Sequence, residues 1–290
     1  MTKYIIATLL VLSVAANSFA EPIGVAFLKI PNGAAEISLG MSGVSHTRGS
    51  SAAYWNPARV GIGGSSLGLQ FFRSLGDGRG TFGTGTVETT WGGLSVYLFD
   101  LGIDGFEARN EPGPPAATFT VHFSVLALGA SIKLPWQSRI GIAAKGYLDD
   151  FYGNTESSFP VFDAGYAWSS EQWSVGTAVA NFSVGKTKQS QLPTTLRAGV
   201  SRKDRLGDYS LQDIAEYSVV RNLKGVGHIA LEGGYRDRFF LRGGAAISGD
   251  YVRPTFGLGV EGGPYRIDAA IALYDEALGS TWRIGLGYGI

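Results

Sequence analysis

The sequence has 290 residues, of which 43 are glycine and none is cysteine, and 24 Lys and Arg residues balance 24 Asp and Glu residues. The glycine content is about twice the average of ~7 %, and it disfavours a helical bundle because an interior glycine costs about 1 kcal/mol relative to alanine. The lack of cysteine excludes disulfides, a thiolate metal site and a catalytic or lipidated cysteine. Zero net charge argues against nucleic acid as a partner, and an apolar fraction of 44 % argues against disorder. We therefore expect an all-β protein.

The first 20 residues have the pattern of a secretory signal peptide. Lys3 precedes an apolar run at 4–16, and Ser18 and Ala20 supply small residues before a cleavage site that follows Ala20. The alternative is a membrane anchor, which needs about 20 helical residues to cross the hydrocarbon layer. This run has only 13 residues. The predicted mature chain is therefore 21–290, and we expect it to be soluble outside the cytoplasm or to form a membrane β-barrel.

From residue 65 onward, large apolar residues alternate with small or charged ones. At the C-terminus, Trp282 and Ile284 alternate with Arg283 and Gly285, which is the pattern of a strand with two different surroundings. Aromatic residues near the ends of the apolar faces are typical of a girdle at a membrane interface. They are Trp168, Trp173, Tyr265, Trp282 and Tyr288.

Charges near the middle of the small faces separate a barrel from the alternative, a soluble β-sandwich or solenoid. They are Arg197, Glu232, Arg242 and Asp268. Unpaired charges are expensive in a dry sandwich core, whereas the wet lumen of a barrel would accept them. The pattern therefore favours an outer-membrane barrel with a polar lumen.

The alternation predicts about fourteen strands between residues 65 and 290. They are expected to begin near residues 65, 81, 93, 118, 138, 158, 172, 194, 209, 225, 237, 251, 264 and 279. An even number suits a bacterial outer-membrane barrel. The stretch 209–224 alternates least clearly, so the strand there is the weakest prediction. We expect a transmembrane antiparallel β-barrel over 65–290, preceded by a segment at 21–64 that does not alternate.

Three parts of the segment 21–64 resemble the opening of the PorV/PorQ family. They are the sequences at 26–30, at 39–43 and, most specifically, Ser-Ala-Ala-Tyr-Trp-Asn-Pro-Ala at 51–58. Proteins of this family resemble the FadL long-chain fatty acid transporter. The resemblance implies a fourteen-stranded barrel whose N-terminal plug, or hatch, carries an Asn-Pro-Ala motif. The chain is short for the secretion-linked members of the family, and it ends in Ile290 where outer-membrane barrels usually end in an aromatic residue.

The resemblance also implies two alternative roles, namely a part in type IX protein secretion or the passage of hydrophobic solutes across the outer membrane. The expected partners are outer-membrane lipid, the barrel assembly machinery, and either secretion-system components or a hydrophobic small molecule. The expected location is the outer membrane of a Gram-negative bacterium. Two other hypotheses are an outer-membrane barrel hydrolase and a structural or adhesive barrel.

The candidate site residues lie in the segment 21–64. Asn56, Pro57 and Ala58 are expected to form a rigid corner, because Pro57 fixes its own φ and keeps Asn56 out of the helical region. The Asn56 side chain can then bond the neighbouring backbone in an Asx-type turn. This corner is either a structural turn or a latch on a substrate route. Leu28, Met41, Tyr54 and Trp55 either line a hydrophobic ligand path or pack the segment against the barrel wall.

Other motifs are expected to carry no chemistry. The GxGxxG pattern at 257–262 lies within an alternating strand rather than between a strand and a helix, and the GxSxG pattern at 64–68 opens a strand. His46, His122 and His228 lack metal-ligand spacing, and His228 is expected to face the lumen beside Glu232. We therefore expect no catalytic residue, cofactor or metal.

Overall fold

The computed structural model describes residues 25–109, 114–151, 153–183, 192–274 and 279–290. The predicted signal peptide at 1–20 and the first four residues of the predicted mature chain lie outside these ranges. Within them, none of the helices has the length and hydropathy needed to cross a membrane. The rest of this section concerns the described residues.

Fourteen antiparallel strands form one closed barrel. Each strand pairs with the next along the chain, and β14 returns to β1 with Ser66 opposite Gly289 and Arg73 opposite Trp282. The strands are β1 (Ser66–Arg73), β2 (Arg79–Glu88), β3 (Gly92–Ala108), β4 (Ala117–Leu134), β5 (Ser138–Phe151), β6 (Asn154–Ser169), β7 (Trp173–Phe182), β8 (Thr195–Leu206), β9 (Tyr209–Val220), β10 (Val226–Tyr235), β11 (Phe239–Ser248), β12 (Tyr251–Gly262), β13 (Tyr265–Leu273) and β14 (Ser280–Gly289). The predicted strand number is confirmed. The weakest predicted strand is the regular twelve-residue β9.

Along each strand, side chains that point to the outside of the barrel alternate with side chains that point into the lumen. In β14, Trp282, Ile284 and Leu286 point outward with 43–46 % of their surface exposed, whereas Arg283 points inward and is 3 % exposed. Successive strand residues point to opposite faces of the wall. The outer wall is therefore apolar, and the sandwich and solenoid alternatives are wrong for this chain.

The two ends of the barrel differ in their connections. The six connections from an even-numbered strand to the next odd-numbered one have two or three residues each. We call this the short-turn end. We call the opposite end the long-loop end, because five of its seven connections have five or more residues, the exceptions being the two-residue connections of β5 to β6 and of β11 to β12. Strands β3 to β6 have 14–18 residues, whereas each of the others has 8–12. Strands β3 to β6 therefore extend beyond the other strands at the long-loop end.

Residues 25–64, which we call the N-terminal segment, lie inside the barrel. The segment contains two short helices, α1 (Ala34–Ser38) and α2 (Ala52–Trp55), and 3₁₀ turns at Ala26–Lys29, Gly49–Ser51 and Pro57–Arg59. Helix α1 packs against β11 to β14, and Pro57–Arg59 packs against β4 to β6. Most of its side chains are buried. The segment thus touches both halves of the barrel wall.

Inward-facing glycines allow this close approach. A Cβ atom added to Gly141, Gly165 or Gly176 would lie closer than 3.0 Å to Pro57, Asn56 or Val44, respectively, of the N-terminal segment. Real Cβ atoms do not approach other heavy atoms so closely. Part of the high glycine content therefore follows from fitting the segment into the lumen.

Candidate functional site

One half of the lumen is lined by aromatic side chains. Strands β1 to β5 direct six of them inward, where they pack against Phe27, Tyr54 and Trp55 of the N-terminal segment. The wall residues are Phe72, Phe82, Tyr97, Phe99, Phe123 and Tyr147. The rings of Phe27 and Phe123 stack with their centroids 4.7 Å apart, and those of Tyr54 and Phe82 meet edge to face at 6.1 Å. Such geometries add to the stability that burial gives.

The sequence analysis missed this aromatic half, because it assigned the lumen to small and charged residues. The sequence of β3 does indicate this aromatic half, because large apolar residues lie on both of its faces. Leu94, Val96 and Leu98 point outward, and Tyr97 and Phe99 point inward. A strand with large apolar residues on both faces has two apolar surroundings.

The opposite half of the lumen carries charges. The buried Arg242 guanidinium contacts Glu232 at 2.6 Å and Asp268 at 2.7 Å, and Arg266 also contacts Asp268 at 2.7 Å. These charges face inward, as the sequence predicted. They neutralise one another rather than standing free in water, because buried charge is stable only when paired.

Arg197 connects the two halves. Its guanidinium lies over the rings of Tyr54 and Trp55, 5.4 and 5.1 Å from their centroids. It also donates hydrogen bonds to the carbonyl oxygens of these two residues. The wall therefore holds α2 by cation–π contacts and hydrogen bonds.

Glu216 of β9 holds the middle of the N-terminal segment. Its carboxylate accepts hydrogen bonds from the backbone N–H groups of Gly43, Val44 and Ser45 at 2.8, 3.1 and 2.9 Å, and from the Ser45 hydroxyl at 2.8 Å. His46 Nδ1 lies 3.3 Å away. The carboxylate thus satisfies three consecutive buried N–H groups that have no partner in a helix or sheet. The sequence analysis did not single out this residue.

The Asn-Pro-Ala motif forms the predicted corner. Asn56 is extended at φ −158°, and its side-chain oxygen accepts a hydrogen bond from Ala58 N at 3.0 Å, which closes the Asx-type turn. Its amide group donates to Val44 O and to Tyr166 O of β6, both at 3.0 Å. Pro57 begins the 3₁₀ turn, and Pro57 and Ala58 are buried. The motif fastens the segment to the wall, and its part in a substrate route stays a prediction.

Replacing Asn56 by alanine is expected to lower the free energy of unfolding by about 2–4 kcal/mol, because three buried groups lose their partner. The measurement is the temperature at which the barrel loses its fast, folded migration on a detergent gel. The control is Gln172→Ala in an exposed short turn. An equal transition temperature for both variants would contradict the anchoring role of Asn56.

The four residues of the predicted ligand path are all buried, but they do not lie together. Leu28, Tyr54 and Trp55 belong to the aromatic cluster, whereas Met41 packs with Ile37 in a separate cluster under β11 and β13. The Tyr54 hydroxyl donates to Ile30 O, and the Trp55 indole N–H donates to Asn32 O. The polar atoms of Tyr54 and Trp55 therefore stabilise the fold of the N-terminal segment itself. A role in binding a solute stays a prediction for all four.

The three histidines lie in different surroundings. His122 points outward on β4, whereas His46 and His228 are buried. His228 contacts Gly40 O at 2.7 Å and the Ser218 hydroxyl at 2.8 Å. His228 thus faces the lumen as expected, but it contacts Gly40 and Ser218 rather than Glu232, which is bound by Arg242. Among the described residues, no group of three or more acidic or imidazole side chains could hold a metal ion.

Two other motifs fall within the barrel. The GxGxxG pattern lies in β12, with Gly257 against Ser38 of α1, and the GxSxG pattern runs into β1. Each forms part of a strand, as expected.

Two buried charges of the N-terminal segment have shifted pKa values. Burial raises the pKa of the Glu36 carboxyl, which accepts a hydrogen bond from Ser51. Burial also lowers the pKa of the Arg59 guanidinium to about 9. Arg59 donates to Thr47 O at 2.7 Å and to the hydroxyl of Ser174 on β7 at 2.8 Å. It therefore fastens the segment to the wall a second time.

Compared by sequence, the chain matches no protein-family model and no curated protein. Compared by structure, it is similar to two hydrocarbon channels. The toluene transporter TodX of Pseudomonas putida superimposes with a TM-score of 0.58 and 12 % identity, over 88 % of this chain and 96 % of TodX. The monoaromatic hydrocarbon channel CymD superimposes with a TM-score of 0.60 and 13 % identity, over 92 % of this chain and 97 % of CymD.

The chain therefore has the fold of these two channels, neither of which is an enzyme. This fold supports the FadL-like architecture that the sequence resemblance implies. The assignment to the PorV/PorQ family stays a prediction.

Proposed function

We propose that the chain is an outer-membrane channel for small hydrophobic solutes, in which the N-terminal segment acts as a plug. The aromatic half of the lumen is the observation that carries this proposal. A pore for polar solutes needs a polar lining, whereas an apolar solute binds to aromatic and aliphatic side chains. The similarity to channels for toluene and other monoaromatic hydrocarbons supports the same solute class.

The outer wall supports the membrane location. Apolar side chains cover it between aromatic residues such as Trp173 near the short-turn end and Trp282 near the long-loop end. Outer-membrane barrels have short periplasmic turns and longer extracellular loops, so the short-turn end faces the periplasm. In this proposal residues 1–20 are the export signal, 21–64 the plug and 65–290 the barrel. Lipid and the barrel assembly machinery are its general partners.

The plug closes the lumen through contacts with both halves. On the charged side Glu216 binds the backbone at Gly43–Ser45, and on the other side α2 packs into the aromatic cluster. We assign the solute route to the aromatic side, along Leu28, Tyr54 and Trp55, because moving the plug there breaks apolar contacts that a hydrophobic solute can replace. Asn56, Pro57 and Ala58 are the fixed point of that movement.

Uptake of radiolabelled toluene by cells that produce the full chain tests this function. We expect faster uptake than in cells without it, and no gain for a sugar of similar size. Phe99→Gln, which places an amide in the aromatic half, is expected to reduce the gain about tenfold, as the loss of roughly 1.4 kcal/mol of apolar contact would. The control is Phe71→Gln on the outward face of β1.

Equal uptake by Phe99→Gln and Phe71→Gln would contradict the proposed route, provided that both variants migrate as folded barrels. Equal uptake with and without the protein would contradict the proposed function itself. A role in type IX secretion rests on the sequence resemblance alone. Neither structural comparison supports it, so it is not part of this proposal.

A further inference from the structure

Arg283 of β14 carries a buried guanidinium group that lacks an acceptor. The residue is 3 % exposed, and neither its Nε nor its Nη1 atom has a hydrogen-bond partner among the described residues. The guanidinium carbon lies over the ring of Phe72, 4.3 Å from the ring centroid. Burial of a cation costs free energy unless an anion pairs with it. A bound anion would supply the partner that Arg283 lacks.

Other guanidinium groups inside the barrel do have oxygen acceptors. Arg242, for example, contacts two carboxylates. Five inward guanidinium groups donate hydrogen bonds to a carboxylate, a hydroxyl or a backbone carbonyl oxygen: Arg59, Arg139, Arg197, Arg242 and Arg266. The fold thus supplies oxygen atoms to the charges that fasten the wall and the N-terminal segment. Arg283 differs from these groups, and a ligand that binds to it would account for the difference.

The surroundings of Arg283 are apolar on both sides. Phe72 lies directly opposite Arg283 in the register of β1 and β14, and its ring stacks on Phe99 of the aromatic half with the centroids 5.7 Å apart. On the other side, Ala270 of β13 is paired with Arg283 and belongs to the apolar cluster that contains Met41. A solute that binds at this border therefore needs a negative charge together with an apolar body, and the rings of Phe72 and Phe99 favour an aromatic one.

Arg283 lies near the long-loop end of the lumen. It is the fourth residue of β14, which begins at that end. The N-terminal segment approaches β14 two residues farther on, where a Cβ atom added to Gly285 would lie 3.4 Å from Ala34. Arg253, the third residue of β12, also points inward near this end, between two tyrosine rings whose centroids are 4.4 and 3.9 Å away. Two cations near one mouth attract an anion that enters there.

We propose that Arg283 binds the carboxylate of a small aromatic acid, of which benzoate is the simplest. A planar guanidinium group can donate two parallel hydrogen bonds to a carboxylate, and it balances a single negative charge. The ring of the acid lies beside Phe72 and Phe99, in the same aromatic half that a neutral hydrocarbon uses. The inference rests on the proposed function, because it extends the solute class of the channel from neutral hydrocarbons to aromatic monocarboxylates.

Equilibrium dialysis of radiolabelled benzoate against the purified full chain in lipid nanodiscs, at neutral pH, tests the proposal. Empty nanodiscs give the background. Methyl benzoate keeps the ring without the charge, and acetate keeps the charge without the ring. We expect unlabelled benzoate to displace the label about tenfold more effectively than either of these competitors. A factor of ten corresponds to about 1.4 kcal/mol, which is the size of one hydrogen bond to a charged group.

Three variants test the part of Arg283 in this binding. Arg283→Met should lower the affinity for benzoate about tenfold, and Arg283→Lys, which keeps the charge, should restore part of it. Arg283→Met deprives no carboxylate in the described part of the chain of a partner, so the barrel should form. The matched control is Arg266→Met, which removes an inward guanidinium group already paired with Asp268 at 2.7 Å and should leave the affinity for benzoate unchanged. Folded migration on a detergent gel shows that each variant forms a barrel.

Equal affinities of Arg283→Met and the unaltered chain for benzoate would overturn the site. Equal displacement by benzoate and acetate, or by benzoate and chloride, would mean that Arg283 binds any small anion, and equal displacement by methyl benzoate would mean that the charge is not recognised. Each of these results would overturn the aromatic acid. Dialysis measures binding without transport. Toluene uptake without binding of benzoate would therefore contradict this inference alone, and binding of benzoate without toluene uptake would contradict the transport proposal alone.

Discussion

Replacing Glu216 by alanine is expected to release the N-terminal segment, the proposed plug, from its place in the lumen. The change leaves the N–H groups of Gly43, Val44 and Ser45 buried without acceptors, and each such group costs about 1–3 kcal/mol. A total near 3 kcal/mol raises the population of the open state roughly a hundredfold. Single-channel recordings in planar bilayers should then show large conductance steps that are rare in the unaltered protein.

A second variant, Glu216→Gln, tests the same contact with a side chain of nearly the same size. Glutamine keeps one acceptor oxygen but presents an NH₂ group to N–H donors, so it should give conductance steps almost as often as alanine. The control is Glu88→Ala, which removes an exposed carboxylate near the short-turn end. If Glu216→Ala and Glu88→Ala gave the same recordings, Glu216 would not hold the plug.

Replacing Gly176 by valine is expected to open the channel by a different route. The new side chain would occupy the space of Val44 O, so the plug could not lie against β7. Valine favours strands, and the barrel itself should therefore form. We expect large conductance steps together with unchanged folded migration on a detergent gel.

Gly233→Val is the matched control, because a Cβ atom at Gly233 would meet nothing within 4 Å. The double variant of Glu216→Ala and Gly176→Val gives a second check. Both changes release the same stretch at Gly43–Ser45, so their effects should be far from additive. Additive effects, or closed channels in Gly176→Val, would mean that the plug does not depend on this approach.

The barrel was predictable because most strands alternate between large apolar residues and small or charged ones. The alternation at residues 282–286 predicts both the strand and the side chains that face outward. Similar patterns predict the other strands, including β9. The Asn56 corner was predictable for a local reason, since proline and asparagine restrict their own backbone.

The contacts of the N-terminal segment with the wall were not predictable, because they join residues far apart in the chain. Glu216 lies 173 positions from Gly43, and nothing in either local sequence indicates the other. The aromatic half of the lumen was missed for a related reason. Tyr97 and Phe99 on the inner face match the apolar residues on the outer face of β3, so the alternation that marks a lumen is absent there.

The position of the N-terminal segment inside the barrel has a consequence for assembly. Gly40 donates a hydrogen bond to Thr255, which is 215 positions away, and α1 packs on the last four strands, whereas Pro57–Arg59 packs on β4 to β6. The N-terminal segment precedes every strand in the chain, yet its contacts include strands from β4 to β14. We therefore expect closure of the wall and filling of the lumen to be coupled. Such long-range contacts make folding slow. A barrel that has not yet closed would have unpaired edges on β1 and β14, and its lumen would not contain the N-terminal segment.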